Sequence, residues 1–153
     1  MKIHLDTTYL LPAVGITIKS INKKFLLNLL QKNNEISICD ITIFELSAKA
    51  AKHIINNELT PNRAIKGIKA ITYNEQLKKI STYQTNILQT AFKLKVIIND
   101  FIDCLIVSAA VHYSDVLITE DNEINSLKNN KDFIQLTKTI NPKFEIKKIN
   151  EKK

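Results

Sequence analysis

The sequence predicts an α/β fold, a three-layer α/β/α sandwich around a central, mostly parallel β-sheet. Short strand-like segments alternate with amphipathic helical segments, and this alternation favours parallel strands joined by helical crossovers. One helical segment is apolar nearly all round, as expected of a helix buried beside a sheet. The length of 153 residues suits one domain, which we place at residues 1–145, followed by a basic tail at residues 146–153.

The first half of the chain combines two short strands with three helices. Lys2–Leu5 is weighted toward apolar residues and precedes a loop, as expected of an opening strand. Apolar residues recur at three-and-four spacing in Ile21–Gln31, which predicts an amphipathic helix. Glu35–Cys39 follows a predicted Asn33-Asn34 turn and alternates as a strand does, and Ile41–Ile55 is rich in alanine and reads as a helix. A third helix begins at Thr60-Pro61, where the proline suits the first turn.

The second half of the chain continues the alternation. Phe101–Val111, with the sequence FIDCLIVSAAV, is the nearly all-apolar helix. Asp115–Thr119, with the sequence DVLIT, has the apolar character of a central strand. The other predicted elements are a short strand at Leu77–Thr82, a helix at Thr85–Leu94, a short polar helix at Asn122–Lys128, and final strands at Phe133–Leu136 and Phe144–Ile149. Sheets of this kind bind ligands beyond the carboxyl ends of their strands.

The composition is that of a basic protein that builds its own core. Lysine and arginine number 22 against 15 acids, and the net charge of +7 favours a polyanionic partner. Cys39 and Cys104 suit small buried side chains in a reducing compartment. We identify no signal peptide and no membrane-spanning apolar run, and we expect a cytoplasmic protein. Gly15 and Gly67 are isolated, which excludes a glycine-rich phosphate loop.

Four acidic residues follow the predicted strands. Asp6 comes directly after the first strand, and Glu45 lies one turn into the helix after the second. Asp103 lies at the start of the apolar helix, and Asp121 comes two residues after DVLIT. We expect all four at one rim of the sheet. Carboxylates gathered in this way repel one another unless a proton or a cation intervenes. Mg²⁺ or Mn²⁺ prefers such oxygen ligands.

Glu45 has two interpretations. It precedes Lys49 by four residues and Lys52 by seven, which suits an exposed row of ion pairs on a helix. In the alternative, Glu45 joins the acidic rim, and the two lysines lie close enough to contact a phosphate of a polyanionic partner beside it.

The acids near helix starts also have two interpretations. Asp100 and Asp103 suit the first turn of a helix, where they cap it and complement its dipole. Asp121 suits the same role in the short helix that follows it. Asp6, at the end of an apolar strand, has no such explanation and favours a functional role.

Four segments resemble the motifs of the PIN domain ribonucleases, in the same order and at similar spacing. They are LDTTYLLP after the first strand, ITIFELSAKA around Glu45, DCLIVSAA in the apolar helix, and LITEDNEI near the end. The resemblance extends from about Met1 to Leu136. It implies a compact α/β/α sandwich that cleaves RNA as an endonuclease and depends on Mg²⁺ or Mn²⁺.

The resemblance also implies roles for individual residues. The acidic pocket that binds metal and carries catalysis would consist of Asp6, Glu45, Asp103 and Asp121. Thr7 and Thr119 match hydroxyl residues of the family beside the first and the last acid, and they would support the pocket. Glu123 stands where many members have a second Asp, and Asp100 is a further candidate for a supporting role. The three aspartates of the pocket would hold one ion, while the glutamate orients it or helps to hold a second through water. The chain departs from the family at Cys39, where Ser is common, and at Ile124, where Phe is favoured.

The resemblance leaves several functions open. The commonest small members are VapC-type toxins, which implies an antitoxin whose peptide covers the acidic groove, and also a homodimer. We expect the interface with such a partner in the helices after Glu45, particularly at Ile54–Tyr73. The alternatives are a housekeeping RNA-processing nuclease and a non-catalytic PIN fold that binds RNA or protein.

Other chemistries fit the sequence less well. A phospho-receiver module needs paired acids after the first strand, where Asp6 stands alone, although Asp40 could serve as the acceptor. The three histidines, at positions 4, 53 and 112, are scattered and suit packed or surface side chains rather than a catalytic base. Tyr9 could stack on a base, but packing is the simpler interpretation.

Overall fold

Five strands form one sheet in the residues that the computed structural model describes, 1–32 and 34–149. They are β1 (Lys2–Leu5), β2 (Glu35–Cys39), β3 (Leu77–Ile80), β4 (Val116–Ile118) and β5 (Glu145–Lys147). The spatial order is β3-β2-β1-β4-β5, and every neighbouring pair is parallel. The predicted α/β sandwich with a parallel sheet is confirmed.

Helices cover both faces of this sheet. They are α1 (Leu11–Val14), α2 (Phe25–Leu30), α3 (Asp40–Ile55), α4 (Pro61–Thr72), α5 (Thr85–Leu94), α6 (Phe101–Tyr113), α7 (Asn122–Ser126) and α8 (Lys131–Ile140). Short 3₁₀ turns at Thr7–Leu10 and Leu127–Asn129 precede α1 and α8. One core cluster joins α1, α3 and α4 to the sheet, and a second joins α5, α6 and α8 to it. None of the described helices has the length and apolar character needed to cross a membrane.

The apolar helix α6 is the centre of the second cluster. Every residue from Cys104 to Val111 is buried, which explains why the sequence is apolar on all sides there. The buried hydroxyl of Ser108 donates to the Ile87 carbonyl at 2.7 Å, so its burial leaves no polar group unpaired. Asp103 lies one residue before this buried stretch, and the packing of α6 therefore fixes where its carboxylate lies.

Helix α1 follows the turn after β1 and lies directly on α4. A Cβ atom at Gly67 would lie 2.4 Å from the Val14 Cα and 2.5 Å from the Ala13 oxygen, so this approach requires glycine. Arg63 donates from Nη1 to the same Ala13 oxygen at 2.9 Å. Gly15 ends α1 at a φ of 104°. These contacts fix the course of the chain just after Asp6.

The C-terminal third differs from the prediction at one element and one boundary. Phe133–Leu136 is not a strand, because it lies inside α8. Asn130 caps that helix by accepting from the Asp132 and Phe133 amides, each at 3.0 Å. Strand β5 lies within the predicted segment Phe144–Ile149 and crosses the boundary drawn between residues 145 and 146. Ile146 is therefore part of the sheet and not of a tail, while residues 150–153 lie outside the described residues.

The helix predicted at Ile21–Gln31 is shorter in the structure. Only Phe25–Leu30 is helical, and none of these six residues is fully buried. Ile21, which was predicted on its inner face, is buried ahead of the helix. The turn predicted around position 33 falls partly outside the described residues.

Candidate active site

The carboxyl ends of β1 and β4 lie side by side at the point where the sheet order reverses. From β1 the chain runs to β2 and β3 on one side, and it then crosses to β4 on the other side of β1. The Asp6 amide donates to the Ile118 carbonyl at 3.1 Å, which joins the two strand ends. A crevice at such a reversal is the usual ligand site of a parallel sheet.

Asp6 is held in this crevice by hydroxyl groups. Its side chain is buried, with the residue 5% exposed. Thr119 donates from Oγ1 to Asp6 Oδ2 at 2.8 Å, and Thr8 donates to the same oxygen at 3.4 Å. The Asp121 amide donates to Thr119 Oγ1 at 3.0 Å. One threonine hydroxyl therefore connects the acid after β1 with the loop after β4.

Glu45 reaches the same place from helix α3. Thr7, the residue after Asp6, donates from Oγ1 to Glu45 Oε2. Lys49 forms an ion pair with the other oxygen, Oε1, at 2.8 Å. Glu45 therefore forms the predicted ion pair along the helix and also lies next to Asp6, so both interpretations of this residue hold. Lys52 lies exposed one turn further along α3.

Asp103 is electrostatically coupled to the other acids. Burial raises its pKa to about 7, and the charges of Asp6, Asp100, Asp121 and Glu45 add to the rise. An acid with this pKa, beside like charges in a crevice, is typical of a functional site.

The pKa of Asp6 is shifted by the same two effects, burial and nearby charge. Burial raises its pKa, and the Glu45 carboxylate raises it further. The hydrogen bond from Thr119 and the charge of Lys49 oppose this shift. The structure thus brings together the four acids predicted at the rim, which we call the acidic rim: Asp6, Glu45, Asp103 and Asp121.

The helix-capping interpretations also hold in the structure. Asp100 accepts from the Ile102 amide at 2.7 Å and caps α6, and Asp121 Oδ1 accepts from the Ile124 amide at 2.8 Å and caps α7. Capping uses one oxygen of Asp121, and the residue is exposed. Glu123 turns toward the loop before α6, where its Oε1 accepts from the Asn99 amide at 3.2 Å and from Asn99 Nδ2 at 2.8 Å.

The donor set of the acidic rim suits a hard divalent cation. Carboxylate and hydroxyl oxygens are the ligands that Mg²⁺ and Mn²⁺ prefer, and a cation would relieve the repulsion that raises the pKa of Asp103. Within residues 1–32 and 34–149, no three His, Cys, Asp or Glu side chains are already arranged as a metal site. In this structure threonine hydroxyls donate to Asp6 Oδ2 and Glu45 Oε2, and Lys49 pairs with Glu45 Oε1.

Two contacts at the rim were not predicted from the sequence. Lys148 donates from Nζ to Asn122 Oδ1 at 2.9 Å, next to Asp121. Tyr9 donates its phenol proton to Glu120, in the same loop. Both contacts join residues that are far apart in sequence, so no spacing pattern could indicate them. Tyr9 is 1% exposed, which excludes base stacking and confirms packing.

A second polar group of the sheet is fully buried beside the rim. His4 Nδ1 lies 2.9 Å from Ser37 Oγ, and His4 Nε2 lies 3.5 Å from Cys39 Sγ. Ser37 Oγ is also 3.2 Å from Ser114 Oγ. Burial lowers the pKa of His4 to about 3, so the ring is neutral at physiological pH. We call these four residues the buried polar cluster.

The remaining candidates have structural partners. His112 lies 2.9 Å from Thr90 Oγ1, and His53 pairs with Glu58 at 2.5 Å, in line with packed or surface histidines. Asp40 Oδ1 accepts from the amide and the hydroxyl of Thr82, at 3.1 and 2.8 Å. That carboxylate joins the start of α3 to the end of β3, which disfavours the phospho-receiver alternative.

Comparisons with known proteins agree with this geometry. A family model described as "PIN domain" matches residues 3–130. Among solved structures, the chain is similar to one described as VapBC2 from Rickettsia felis bound to a DNA fragment from their promoter. The TM-score is 0.57 at 21% sequence identity, over 97% of this chain and 98% of that chain. Comparison with curated protein sequences gave no match.

Proposed function

The chain belongs to the PIN domain family, and from this premise we propose that it is a metal-dependent endoribonuclease. The observation that carries the proposal is the gathering of four acids at the acidic rim, where burial and like charge raise the pKa of Asp103. Four carboxylates from two strand ends and two helices converge there, and Lys49 pairs with only one of them. Such an arrangement costs stability, which favours a functional reason for it.

In the proposed mechanism, Asp6, Asp103 and Asp121 would hold a Mg²⁺ or Mn²⁺ ion, and Glu45 would orient it or help to hold a second one. When bound, the ion strengthens water as a nucleophile and offsets charge that develops on the scissile phosphate. Thr119 orients the Asp6 carboxylate, as residues behind metal ligands commonly do. Asp103, with a pKa of about 7, gives up its proton when the cation binds.

RNA is the proposed substrate because of the charge distribution. With the four rim acids set aside, 11 acids remain against 22 basic residues, so the rest of the chain carries about +11. Lys148 lies beside the rim at Asn122, and Lys49 lies beside it at Glu45. We propose that these two lysines contact RNA phosphates, and that Lys52 extends this basic surface along α3.

RNA cleavage tests this proposal directly. We expect the wild-type protein to cleave RNA in the presence of Mg²⁺ or Mn²⁺, and we expect EDTA to abolish this cleavage. Loss of a residue that only supports a metal ligand costs about 10–100-fold, so we expect Asp6→Asn to lose more than about 100-fold. Asp132→Asn, on the exposed start of α8, is the matched control and should keep full activity. A folded Asp6→Asn that cleaves as fast as wild type would refute the assignment.

We further propose that the protein is the toxin of a toxin–antitoxin pair. Support comes from the similarity to the VapBC2 structure and from an apolar groove of about 420 Å³ between α3 and α4. The groove is lined by Ala50, Ile54, Ala64 and Ile68, and Ile65 at its border is 54% exposed. An apolar surface of this kind suits an antitoxin peptide or a second copy of the chain.

Expression in bacteria tests the toxin proposal. Wild type should arrest growth, Asp6→Asn should not, and a small neighbouring reading frame should relieve the arrest. Unaffected growth together with RNA cleavage would instead favour a housekeeping RNA-processing nuclease. The absence of both cleavage and Mn²⁺ binding would favour a non-catalytic module.

A further inference from the structure

Tyr9 is buried three residues after Asp6 of the acidic rim. It lies in the 3₁₀ turn that follows Asp6, and its amide donates to the Asp6 carbonyl at 3.1 Å. Its ring packs on Phe25 with 5.2 Å between the ring centroids. These contacts would also be available to phenylalanine. The hydroxyl group therefore needs a separate explanation.

The Tyr9 hydroxyl connects three segments of the chain. It donates to Glu120 Oε1 in the loop after β4, and it accepts from the Ile149 amide, at 3.4 Å, in the segment after β5. Glu120 stands between Thr119, which orients Asp6, and Asp121, the last acid of the rim. The hydroxyl thus fixes the part of the loop that carries the rim residues.

We propose that Tyr9 is a positioning residue for the acidic rim. By holding Glu120, it keeps Thr119 in hydrogen-bonding position on Asp6 and the Asp121 carboxylate near Asp103. The inference rests on the proposed function, since it concerns the geometry with which the rim binds its cation. Strand β4 has only three residues, so its end requires tertiary contacts such as this one to stay in place.

A set of three variants separates positioning from packing. Tyr9→Phe keeps the ring and removes the hydroxyl. Glu120→Ala removes the acceptor, and Glu120→Gln keeps an acceptor oxygen for the phenol while it removes the charge. Tyr83→Phe is the matched control, because Tyr83 is 85% exposed. Each variant is measured for Mn²⁺ affinity, for kcat and KM of RNA cleavage, and for amide hydrogen exchange of residues 119–122.

We expect Tyr9→Phe and Glu120→Ala to lower kcat about tenfold and to weaken Mn²⁺ binding by a similar factor. KM for RNA should change by less than twofold, because neither side chain is exposed for RNA contact. The double variant Tyr9→Phe/Glu120→Ala should resemble each of the two single variants, since both substitutions remove the same interaction. Glu120→Gln and Tyr83→Phe should remain near wild type.

Two results would overturn the proposal. One is wild-type kcat and Mn²⁺ affinity in Tyr9→Phe, and the other is an equal loss in Glu120→Gln and Glu120→Ala, which would assign the effect to charge. If Tyr9→Phe fails to fold, the two Glu120 variants decide. If wild type neither binds Mn²⁺ nor cleaves RNA, the proposed function fails by itself. Amide exchange then decides the role of Tyr9: faster exchange in Tyr9→Phe and Glu120→Ala alone supports positioning, and unchanged exchange refutes it.

Discussion

His4 in β1 and Asp6 just after it are only two residues apart, yet their electrostatic surroundings differ. Both are buried, at 0% and 5% exposure. His4 belongs to the buried polar cluster, in which Ser37 and Cys39 meet both ring nitrogens and no like charge adds to its burial. Asp6 belongs to the acidic rim, where Glu45 adds like charge.

This difference separates structural burial from functional burial. A buried ionisable group becomes tolerable when it is neutral and hydrogen-bonded, and the histidine meets both conditions. The acidic rim gathers carboxylates whose negative charge is disfavoured by burial and by mutual repulsion, and both effects raise the pKa of Asp103. Sites that violate local stability rules are the expected location of function. Adding a charge to the buried polar cluster should therefore lower the stability of the protein, and removing a charge from the acidic rim should raise it.

The largest expected effect comes from placing a charge in the buried polar cluster. His4→Lys introduces a buried cation with no acidic partner, and we expect it to lower the free energy of unfolding by about 3–5 kcal/mol. His53→Lys is the control, because its position is partly exposed and next to Glu58. Urea denaturation at pH 7 measures both variants. A loss below about 1 kcal/mol in His4→Lys would remove the distinction between the regions.

The pH dependence of stability gives the next largest effect. The pKa of His4 is about 3 in the folded protein against an ordinary 6.5, so the unfolded chain binds more protons between these values. The stability contributed by neutral His4 is complete above pH 6.5 and is lost as pH falls, by up to about 1.4 kcal/mol per pH unit. His4→Gln lacks this loss. Its deficit relative to wild type should shrink by about 2 kcal/mol between pH 6.5 and 4.5 in urea denaturation; a constant deficit would contradict the assignment.

The contribution of the acidic rim to stability should depend on pH in the opposite direction and by a smaller amount. The pKa of Asp103 is about 7 against an ordinary 3.8, so the folded protein holds more protons between these values, and its stability falls as pH rises through this range. Asp103→Asn removes the penalty. Without divalent metal it should be more stable than wild type by about 1 kcal/mol at pH 8, after allowance for solvent screening, and about equal at pH 4. Lower stability than wild type at pH 8 would contradict this account.

The sequence carried enough information for the sheet and for the placement of the acids. The segments around Asp6 and Asp121 follow apolar strands, and strand ends in a parallel sheet share one edge. Periodicity was insufficient at Phe133–Leu136, because a four-residue segment with three apolar residues fits a strand and a helix equally well. The Asn130 cap was the signal that would have resolved it.

Contacts between distant segments could not be predicted at all. The contact of Tyr9 with Glu120 depends on the adjacency of β1 and β4, and that of Lys148 with Asn122 depends on the adjacency of β4 and β5. Sequence spacing carries no information on such pairs. The catalytic roles of the rim acids remain predictions that rest on family membership and geometry.

Calorimetric titration with Mn²⁺ tests the central claim most directly, that the acidic rim exists to bind a divalent cation. At pH 6 most Asp103 carboxyls are protonated, given a pKa of about 7. Wild type should therefore release more protons per ion bound at pH 6 than at pH 8.5, measured in two buffers of different ionisation enthalpy. Asp6→Asn should bind at least about tenfold more weakly. Equal Mn²⁺ affinity in wild type and folded Asp6→Asn, or no binding to wild type, would contradict the account.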